Sequence, residues 1–303
     1  MNSTKQRKKG LLAFCSCHQG ESHKKTGKVC QDAAFARCRE EDRYAVAIVS
    51  DGHGGNNYFR SNIGSKKAVE ATQEAIGEFM KNFLKASSLK KLSESKFHNP
   101  DDLMRQLETA IIYRWRTKIW EDYEKHPFTP EELACFSTTM RDKYESKPQD
   151  YFVKAYGATL IAVVIYPGHF WFGLHIGDGK CVAQNTTGEF FQPIPWDDKC
   201  FLNVTTSLCD EKPLDNFRHC FYTDQFPSAI FVGTDGIDDC FANDEDLYGF
   251  YQEIIQTFQD KKDEKAKKEV DEFLPLMSQK GSGDDISVSG VINKSNLYLD
   301  VAK

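Results

Sequence analysis

No stretch of this sequence is apolar for long enough to cross a membrane. The longest apolar run, Leu160–Tyr166, falls far short of the about 20 residues that a transmembrane helix needs. The N-terminal segment MNSTKQRKKGLLAFCSC starts with basic residues, but its apolar part, Leu11–Phe14, is shorter than the about 7–15 residues of a secretion signal. We therefore expect no membrane contact and a cytoplasmic location.

The cysteines lack the spacing of a metal site or of a disulfide framework. None of the ten forms a CxxC pair, and the nearest approach to a zinc motif is Cys15, Cys17 and His18, followed by His23. One residue between two cysteines is not the usual spacing of zinc ligands. We expect all ten to be free thiols in a reducing compartment, with no zinc bound.

An excess of positive charge is also missing. Lys and Arg number 39 against 45 Asp and Glu, which gives a formal net charge of −6. The densest basic run, Lys261–Lys268, is interrupted by Asp263 and Glu264, a pattern typical of a solvated helix face or loop. Proteins that bind nucleic acids usually concentrate basic residues on one surface, so we expect no nucleic-acid partner.

What the chain does have is a series of short apolar segments of the kind that form strands. Hydrophobic residues make up 40% and charged residues 28% of the sequence, as in ordinary globular proteins. Runs of β-branched and aromatic residues that are bounded by turn residues predict strands. The predicted strands are Tyr44–Ser50, Thr159–Tyr166, Phe170–Ile176, Cys181–Gln184, Ala229–Val232 and Ile286–Ile292.

Apolar residues that recur every three or four positions predict helices elsewhere. These helices run from Val69 to Phe83, from Asp101 (as the N-cap) to Trp115, and from Leu247 to Phe258. The polar stretch Glu121–Asp150 has no clear period and is interpreted as a surface insertion, and Asn185–Ser228 as a long functional loop. Strands on both sides of one helical block, without βαβ alternation, favour an α+β layered domain over a doubly wound sheet.

Four aspartates stand in glycine-rich turns at the ends of predicted strands: Asp51 in SDGHGGN, Asp178 in IGDGK, Asp235 in GTDGIDD and Asp284 in GSGDDIS. Each alone is unremarkable evidence, because Asp-Gly is a common turn dipeptide. Together they offer the oxygen ligands that Mg²⁺ or Mn²⁺ prefer, and an adjacent glycine lets a backbone carbonyl approach an ion. Two such ions about 3.5–4 Å apart can activate a water and hold a phosphoryl oxygen.

The ordered motifs SDGHGG, YGATLIAVVI, LHIGDGK, FVGTDGIDD and GSGDDISVSGVI resemble the metal-dependent protein phosphatase family, also called protein phosphatase 2C. They extend from about Gly20 to Ile292, which is nearly the whole chain. The resemblance implies a single domain over residues 1–303 with a four-layer α-β-β-α sandwich of two antiparallel sheets flanked by helices. Residues 121–150 would be an insertion and residues 185–228 a flap-like loop.

The resemblance further implies a centre of two divalent ions, Mn²⁺ or Mg²⁺, as the cofactor. Asp51 would bridge both ions. The Gly52 carbonyl, Asp235 and Asp284 would complete the protein ligands of the pair.

The same resemblance assigns roles to residues around that centre. Asp32 would contact water bound to the ions. Asp178 and Asp239, together with Asp235, match the acids that hold a third metal in some family members. His53 matches the general acid that protonates the leaving alkoxide, and a turn histidine without chemical function is the alternative interpretation of His53.

One departure from the family pattern concerns the substrate phosphate. The family has an arginine a few residues before an acidic pair, where it grips the phosphate, whereas this sequence reads GESHKKTGKVCQDA and has Gln31 before the aspartate. We expect Lys28 to take over as the phosphate-binding residue, with Lys24 or His23 as alternatives. A lysine is a point charge and lacks the bidentate fork of arginine.

The function predicted on this basis is that of a serine/threonine phosphoprotein phosphatase with a phosphorylated protein as substrate. One alternative is a catalytically weak pseudophosphatase that acts as a regulatory binding module, because the arginine is missing. Another is a phosphatase of small phosphorylated metabolites on the same scaffold. A structural calcium or zinc protein is disfavoured because no EF-hand or CxxC spacing is present. No feature of the sequence specifies an oligomeric state.

Overall fold

The computed structural model describes residues 10–38, 43–87, 99–201 and 204–297. Residues 1–9, which begin the segment that we compared with a secretion signal, lie outside this described part. Within it, no helix combines the length and the apolar character needed to span a bilayer.

The described strands form two antiparallel five-stranded sheets. The first sheet has the order β1-β10-β9-β6-β7, with β1 Leu11–His18, β10 Ile286–Asn293, β9 Ala229–Gly233, β6 Lys180–Gln184 and β7 Phe190–Phe191. The second sheet has the order β2-β3-β4-β5-β8, with β2 Ala33–Cys38, β3 Ala45–Ser50, β4 Leu160–Tyr166, β5 Phe170–Ile176 and β8 Arg218–Tyr222.

The helices occur between these strands in chain order. They are α1 Glu21–Thr26, α2 Ser61–Ser87, α3 Pro100–Lys125, α4 Thr138–Ser146, α5 Pro148–Ala155, α6 Asp235–Asp238, α7 Asp244–Asp260 and α8 Asp263–Lys280. Two short 3₁₀ turns, Asn56–Tyr58 and Pro213–Asn216, complete the regular elements of the described chain.

Each sheet is covered by helices on its outer face. Met80 of α2 and Trp115 of α3 are fully buried in a core shared with β3, β4 and β5. Tyr251 of α7 and Leu274 of α8 are buried against β1, β9 and β10. Helices therefore lie outside two facing sheets, which confirms the predicted α+β sandwich of four layers.

Small and β-branched side chains fill the space between the two sheets. Ala47, Val163 and Val232 are fully buried there. The hydroxyl of Ser289 on β10 donates to the carbonyl of Ile48 on β3 at 2.9 Å. Because both faces of β3, β4 and β9 are covered, these strands are almost entirely apolar rather than alternating.

The sequence patterns did not predict β1, β2, β7, β8, α1, α4, α5, α6 and α8. β1 and β2 carry many small or polar residues, in the segments LLAFCSCH and AAFARC, and β2 is only partly buried. The basic run that we interpreted as a solvated helix face or loop is the start of α8, which lies between α7 and the final strand. The many charged residues of its outer face obscure the helical spacing of the buried residues Val270 and Leu274 in the sequence.

The start of α3 also differs from the prediction. Asn99, rather than Asp101, is the N-cap, since its Oδ1 accepts a hydrogen bond from the Asp102 backbone N–H at 3.4 Å. Pro100 follows as the first helical residue, a position that proline favours because its missing N–H is not needed there.

The two stretches interpreted as irregular are partly ordered. Residues 121–150 contain the end of α3, all of α4 and the start of α5, and residues 185–228 contain β7 and β8. Arg60 fixes the first stretch, because its Nε donates to Glu132 Oε1 at 2.7 Å and its Nη1 to the Tyr156 hydroxyl at 2.8 Å. The Arg60 guanidinium also lies 4.7 Å from the ring centre of Phe128.

Candidate active site

Asp51 is fixed by a short continuation of the β3–β4 pairing. Its backbone N–H donates to Thr159 Oγ1 at 3.0 Å, and the Thr159 N–H donates to the Asp51 carbonyl at 2.8 Å. Two residues later, the His53 N–H donates to the Gly157 carbonyl at 3.1 Å. The Asp51 side chain therefore leaves a rigid strand end rather than a mobile loop.

Asp51, Asp178 and Asp235 converge. One carboxylate oxygen of each lies within 4.8 Å of the others, and all three residues are partly buried. Asp178 stands in the turn between β5 and β6, directly after Gly177, whose φ of 119° favours glycine. Asp235 is the first residue of α6, just after β9. Three segments that are far apart in sequence thus supply one acidic cluster.

The electrostatics of this cluster are those of an ion site. Burial, followed by repulsion from neighbouring carboxylates, raises the pKa of Asp51 and of Asp235 well above the usual range. Burial also raises the pKa of Asp178. Carboxylates gathered in this way are costly to ionise unless a cation compensates them. The donor set therefore fits one or more hard divalent ions.

Asp32 lies beside Asp51 and is almost fully buried. Its Oδ2 accepts a hydrogen bond of 2.8 Å from Thr234 Oγ1, at the end of β9. Burial raises the pKa of Asp32 well above the usual range, although hydrogen bonds from Ser287 and Thr234 act in the opposite direction. Thr234 was not identified from the sequence, and it links Asp32 to the strand that leads into Asp235.

Gly52 occupies a place that no larger residue can take. A Cβ atom there would lie 2.5 Å from the Gln31 carbonyl oxygen and 2.6 Å from that of Ser61. The Gln31 side chain reinforces this contact, since its Nε2 donates to Ser61 Oγ at 2.6 Å and to the His53 carbonyl at 3.2 Å. Gln31 is the residue that departs from the family pattern. Its side chain therefore connects the segment before Asp32 to the segment after Gly52.

Asp284 and Asp239 stand at the exposed side of the cluster. The side chain of Asp284 groups with His23 and Asp285 rather than with Asp51, but its charge acts on Asp51, Asp235 and Asp239. Burial and the charge of Asp284 raise the pKa of Asp239, and Lys180 lowers it. Each aspartate predicted from the motifs therefore interacts electrostatically with at least one other member of the group.

His53 is buried and is held by the segment 185–228. Its Nε2 lies 2.7 Å from Ser207 Oγ, and its ring packs edge-on against Tyr58 at 4.8 Å. The Ser207 hydroxyl also lies 3.1 Å from the Ala158 carbonyl, to which it can donate. Burial lowers the pKa of His53 to about 4, so the imidazole is neutral at pH 7. Ser207 lay in a Thr- and Ser-rich stretch that gave no sequence signal for this contact.

The segment 185–228 is also anchored beside Asp178. Thr206 Oγ1 accepts from the Gly177 N–H at 3.1 Å. Arg218 donates from Nη2 to the Gly177 carbonyl at 2.6 Å and from Nη1 to the Pro195 carbonyl at 2.8 Å. These hydrogen bonds hold the segment 185–228 beside the turn that carries Asp178.

The lysines proposed for phosphate binding are exposed. Lys24 and Lys25 lie on α1, and Lys28 follows Gly27, which ends that helix with a φ of 71°. His23 is the buried member of this run. The role of Lys28 stays a prediction.

Asp285 was missed because it follows Asp284 in a doubled acidic motif. Unlike Asp284 it is buried, and its carboxylate accepts from the Gly20 and Gln31 N–H groups, each at 2.6 Å. Gly20 packs so closely that a Cβ there would lie 2.2 Å from the Asp284 carbonyl carbon. Asp285 therefore joins α1, Gln31 and the start of β10.

Comparison with solved structures supports the same architecture. A bacterial serine phosphatase superposes with a TM-score of 0.56 at 11% identity, over 93% of this chain and 98% of that one. The S. agalactiae serine/threonine phosphatase gives 0.54 at 16% identity, over 93% and 99%. The catalytic domain of the serine/threonine protein phosphatase PstP, in complex with two manganese ions, gives 0.50 at 15% identity, over 93% and 97%. At these identities the likeness concerns the fold.

The sequence comparison goes further than the fold. The search of curated proteins gave no significant match. The sequence model of the family described as protein phosphatase 2C matches residues 19–275, which include the turns that carry Asp51, Asp178 and Asp235. The chain therefore belongs to the protein phosphatase 2C family.

Proposed function

We propose that this metal-dependent phosphatase removes phosphate from serine or threonine side chains of proteins, with Asp51, Asp178 and Asp235 at the centre of its ion site. Family membership carries the phosphatase activity. The observation that carries the site assignment is the convergence of these three carboxylates within 4.8 Å. Oxygen ligands at this density suit the divalent ions that phosphoryl transfer uses.

The proposed ions are Mn²⁺ or Mg²⁺, and the PstP catalytic domain with its two manganese ions supports this choice. When bound, such ions act as Lewis acids toward a phosphoryl oxygen and increase the acidity of water. The residues proposed to hold the two ions or a third one, or to contact their water, are Asp51, the Gly52 carbonyl, Asp235, Asp284, Asp178, Asp239 and Asp32.

The chain's own residues supply the remaining steps. We propose that Asp32, which lies beside Asp51 and is held by Thr234 through Oδ2, accepts a hydrogen bond from a water at the site. We propose that His53 protonates the leaving alkoxide. Its imidazole is neutral in the free protein, but a bound phosphate dianion favours the charged form and raises the pKa. Ser207 orients the ring for this transfer.

The first test compares phosphoserine and phosphothreonine peptides with phosphotyrosine peptides and with sugar phosphates, in Mn²⁺ and in EDTA. We expect turnover of the first two, and at least about a hundredfold loss in EDTA or in Asp235→Asn. Equal turnover of sugar phosphates would contradict the substrate class. Activity that survives EDTA would contradict the metal dependence.

A second test addresses His53. A general acid matters most when the leaving group is poor. His53→Gln should therefore lose much more kcat on phenyl phosphate than on p-nitrophenyl phosphate, whose phenolate needs no proton to leave. Equal losses on both substrates would show that His53 has only a structural role.

We also propose one domain over residues 1–303 and a reducing, cytoplasmic compartment. The shared core between the two sheets supports the first proposal. The second proposal rests on the irregular spacing of the ten cysteines in the sequence, of which Cys17 and Cys30 have their sulfurs 3.9 Å apart. Thiol titration of the unreduced, denatured protein should find nearly all of the cysteines free. The parent should contain no stoichiometric zinc that is lost in Cys15→Ser or Cys17→Ser.

A further inference from the structure

Helix α1 is held firmly against the segment that carries Asp284. The Ser22 N–H donates to the Gly283 carbonyl at 2.8 Å, and the Glu21 N–H donates to Ser278 Oγ at 3.1 Å. Gly20 is packed directly on the Asp284 backbone. The helix is too short to bind a ligand through its own dipole, so its significance lies in the side chain that it directs inward.

That side chain is His23, whose residue is 9% exposed. Its Nδ1 lies 2.9 Å from Asp285 Oδ2, but the contact is bent, and within the described residues Nδ1 has no aligned hydrogen-bond partner. Its Nε2 lies 3.8 Å from Asp284 Oδ1. Nδ1 is therefore a buried polar atom without a well-formed hydrogen bond among the described residues.

The distance between His23 and Asp284 distinguishes two kinds of contact. A separation of 3.8 Å is too long for a hydrogen bond, which needs about 2.7–3.2 Å. Two ligands that share one ion, each about 2.1 Å away, are separated by roughly 3.0 Å at a right angle and 4.2 Å when opposite. The observed distance falls within this second range.

The charge around His23 favours a cation over a phosphate. Asp284 and Asp285 flank the ring, and the carboxylate of Asp285 is held in place by the Gly20 and Gln31 N–H groups. A phosphate dianion would be repelled by both carboxylates, whereas a divalent ion is attracted by them. A carboxylate behind a metal-binding histidine is also a common means of fixing the ring orientation.

We propose that His23 is a direct nitrogen ligand, through Nε2, to a divalent ion that it shares with Asp284. The inference rests on the proposed function, because Asp284 is one of the residues proposed there to hold the ions. An imidazole is a better ligand for Mn²⁺ than for Mg²⁺, whose preference is for oxygen. His23 would thereby make this centre selective for manganese.

Pulsed electron paramagnetic resonance of the Mn²⁺-loaded protein tests the ligand directly, because a coordinated nitrogen couples to the electron spin. We expect a ¹⁴N coupling in the parent, which ¹⁵N-histidine labelling should replace with a ¹⁵N coupling. The coupling should be lost in His23→Gln and should persist in His169→Gln. The control residue His169 is exposed and precedes β5, at the end of that strand opposite to Asp178. Calorimetry should show Mn²⁺ affinity reduced about tenfold or more in His23→Gln, and Mg²⁺ affinity by less than about threefold.

Several results would overturn the inference. Stoichiometric Mn²⁺ binding without a nitrogen coupling in the parent would do so, and it would leave the proposed function intact, even if His23→Gln failed to fold. A coupling that persists in folded His23→Gln would assign another ligand. If His23→Gln lost affinity for inorganic phosphate but kept the nitrogen coupling of the parent, His23 would be an anion contact instead. Failure of the parent to bind Mn²⁺ at all would contradict both the inference and the proposed function.

Discussion

Asp51 shows at the scale of one residue how function opposes stability. Burial, followed by repulsion from the carboxylates of Asp32, Asp178 and Asp284, raises the pKa of its carboxyl group. An amide of the same shape carries no charge and so removes this repulsion. The residue is therefore unfavourable in the ion-free protein, and its retention is explained by the ions that it would bind.

Asp51→Asn should stabilise the protein in EDTA and abolish its activity. We expect the free energy of unfolding in urea to rise by about 1–2 kcal/mol, and turnover of p-nitrophenyl phosphate in Mn²⁺ to fall at least about a hundredfold. Asp142→Asn, on the exposed face of α4, is the matched control and should change stability by less than about 0.5 kcal/mol. A destabilised Asp51→Asn would contradict the repulsion argument.

Lys28 is the second residue whose role can be measured. If it binds the substrate phosphate, Lys28→Ala should lower kcat/KM about tenfold, or roughly 1.4 kcal/mol of transition-state stabilisation, and Lys28→Arg should keep or improve it. Lys24→Ala and Lys25→Ala, on exposed positions of α1, are measured in parallel, and a comparable loss in one of them would assign the phosphate contact to that lysine. If all three alanine variants match the parent, the phosphate is held without a lysine from this run.

Single residues at the site were predictable where a local pattern marked them. Asp51, Asp178 and Asp235 each stand beside glycine at a strand end, and the structure brings them together. Asp285 and Ser207 could not be found in this way, because their importance comes from partners distant in sequence: Gly20 for Asp285, and His53 for Ser207. Local patterns identify ligands more readily than the residues that orient them.

Among the elements, the strands with a continuous apolar sequence were predictable, and β3, β4, β5 and β9 lie close to their predicted ranges. β2 is half-buried at a sheet edge, so its sequence AAFARC need not alternate. α8 has a charged outer face that resembles a loop in a linear sequence. Its pairing with α7 over the first sheet is a tertiary contact that a single sequence does not display.

The helical stretch 121–150 depends on one buried cation. Arg60 is 5% exposed and binds Glu132, the Tyr156 hydroxyl and the His126 carbonyl. Its removal leaves the Glu132 carboxylate without a cation in the described contacts and with only the Thr129 N–H as a donor.

Arg60→Met should therefore lower the free energy of unfolding by about 2–4 kcal/mol, as measured by urea denaturation. Arg114→Met is the matched control, since Arg114 forms its ion pairs with Glu74 and Glu78 on the helix surface, where such pairs contribute about 0–1 kcal/mol. Equal effects of the two variants would mean that the insertion is not held by Arg60.

On the scale of the whole molecule, the ion site should control how stability depends on pH. In the ion-free protein the raised pKa values of Asp32, Asp51 and Asp235 mean that the folded state keeps protons which the unfolded state has lost above pH 3.8. Their contribution to stability is thus present at low pH and is lost as pH rises through the raised values. His53, with a pKa of about 4, acts in the opposite direction. Its contribution to stability is present above pH 6.5 and is lost as the pH falls from 6.5 to 4.

Bound ions replace those protons, so the difference in Tm between Mn²⁺ and EDTA should widen from pH 5 to pH 8. Differential scanning fluorimetry at constant ionic strength measures this, with Ca²⁺-free buffers in both arms. Asp51→Asn should reduce the widening. A difference in Tm that stays constant with pH would show that the carboxylates are already ionised without metal.

The site draws its carboxylates from both sheets: Asp51 and Asp178 follow strands of one, and Asp235 follows a strand of the other. A slip of one sheet against the other by a single residue moves these groups by about 3.3 Å, whereas metal–ligand distances tolerate about 0.2 Å. A loosened sandwich would keep its far-ultraviolet circular dichroism and lose its turnover. Catalysis in this enzyme is therefore a more sensitive indicator of inter-sheet alignment than any measure of secondary structure.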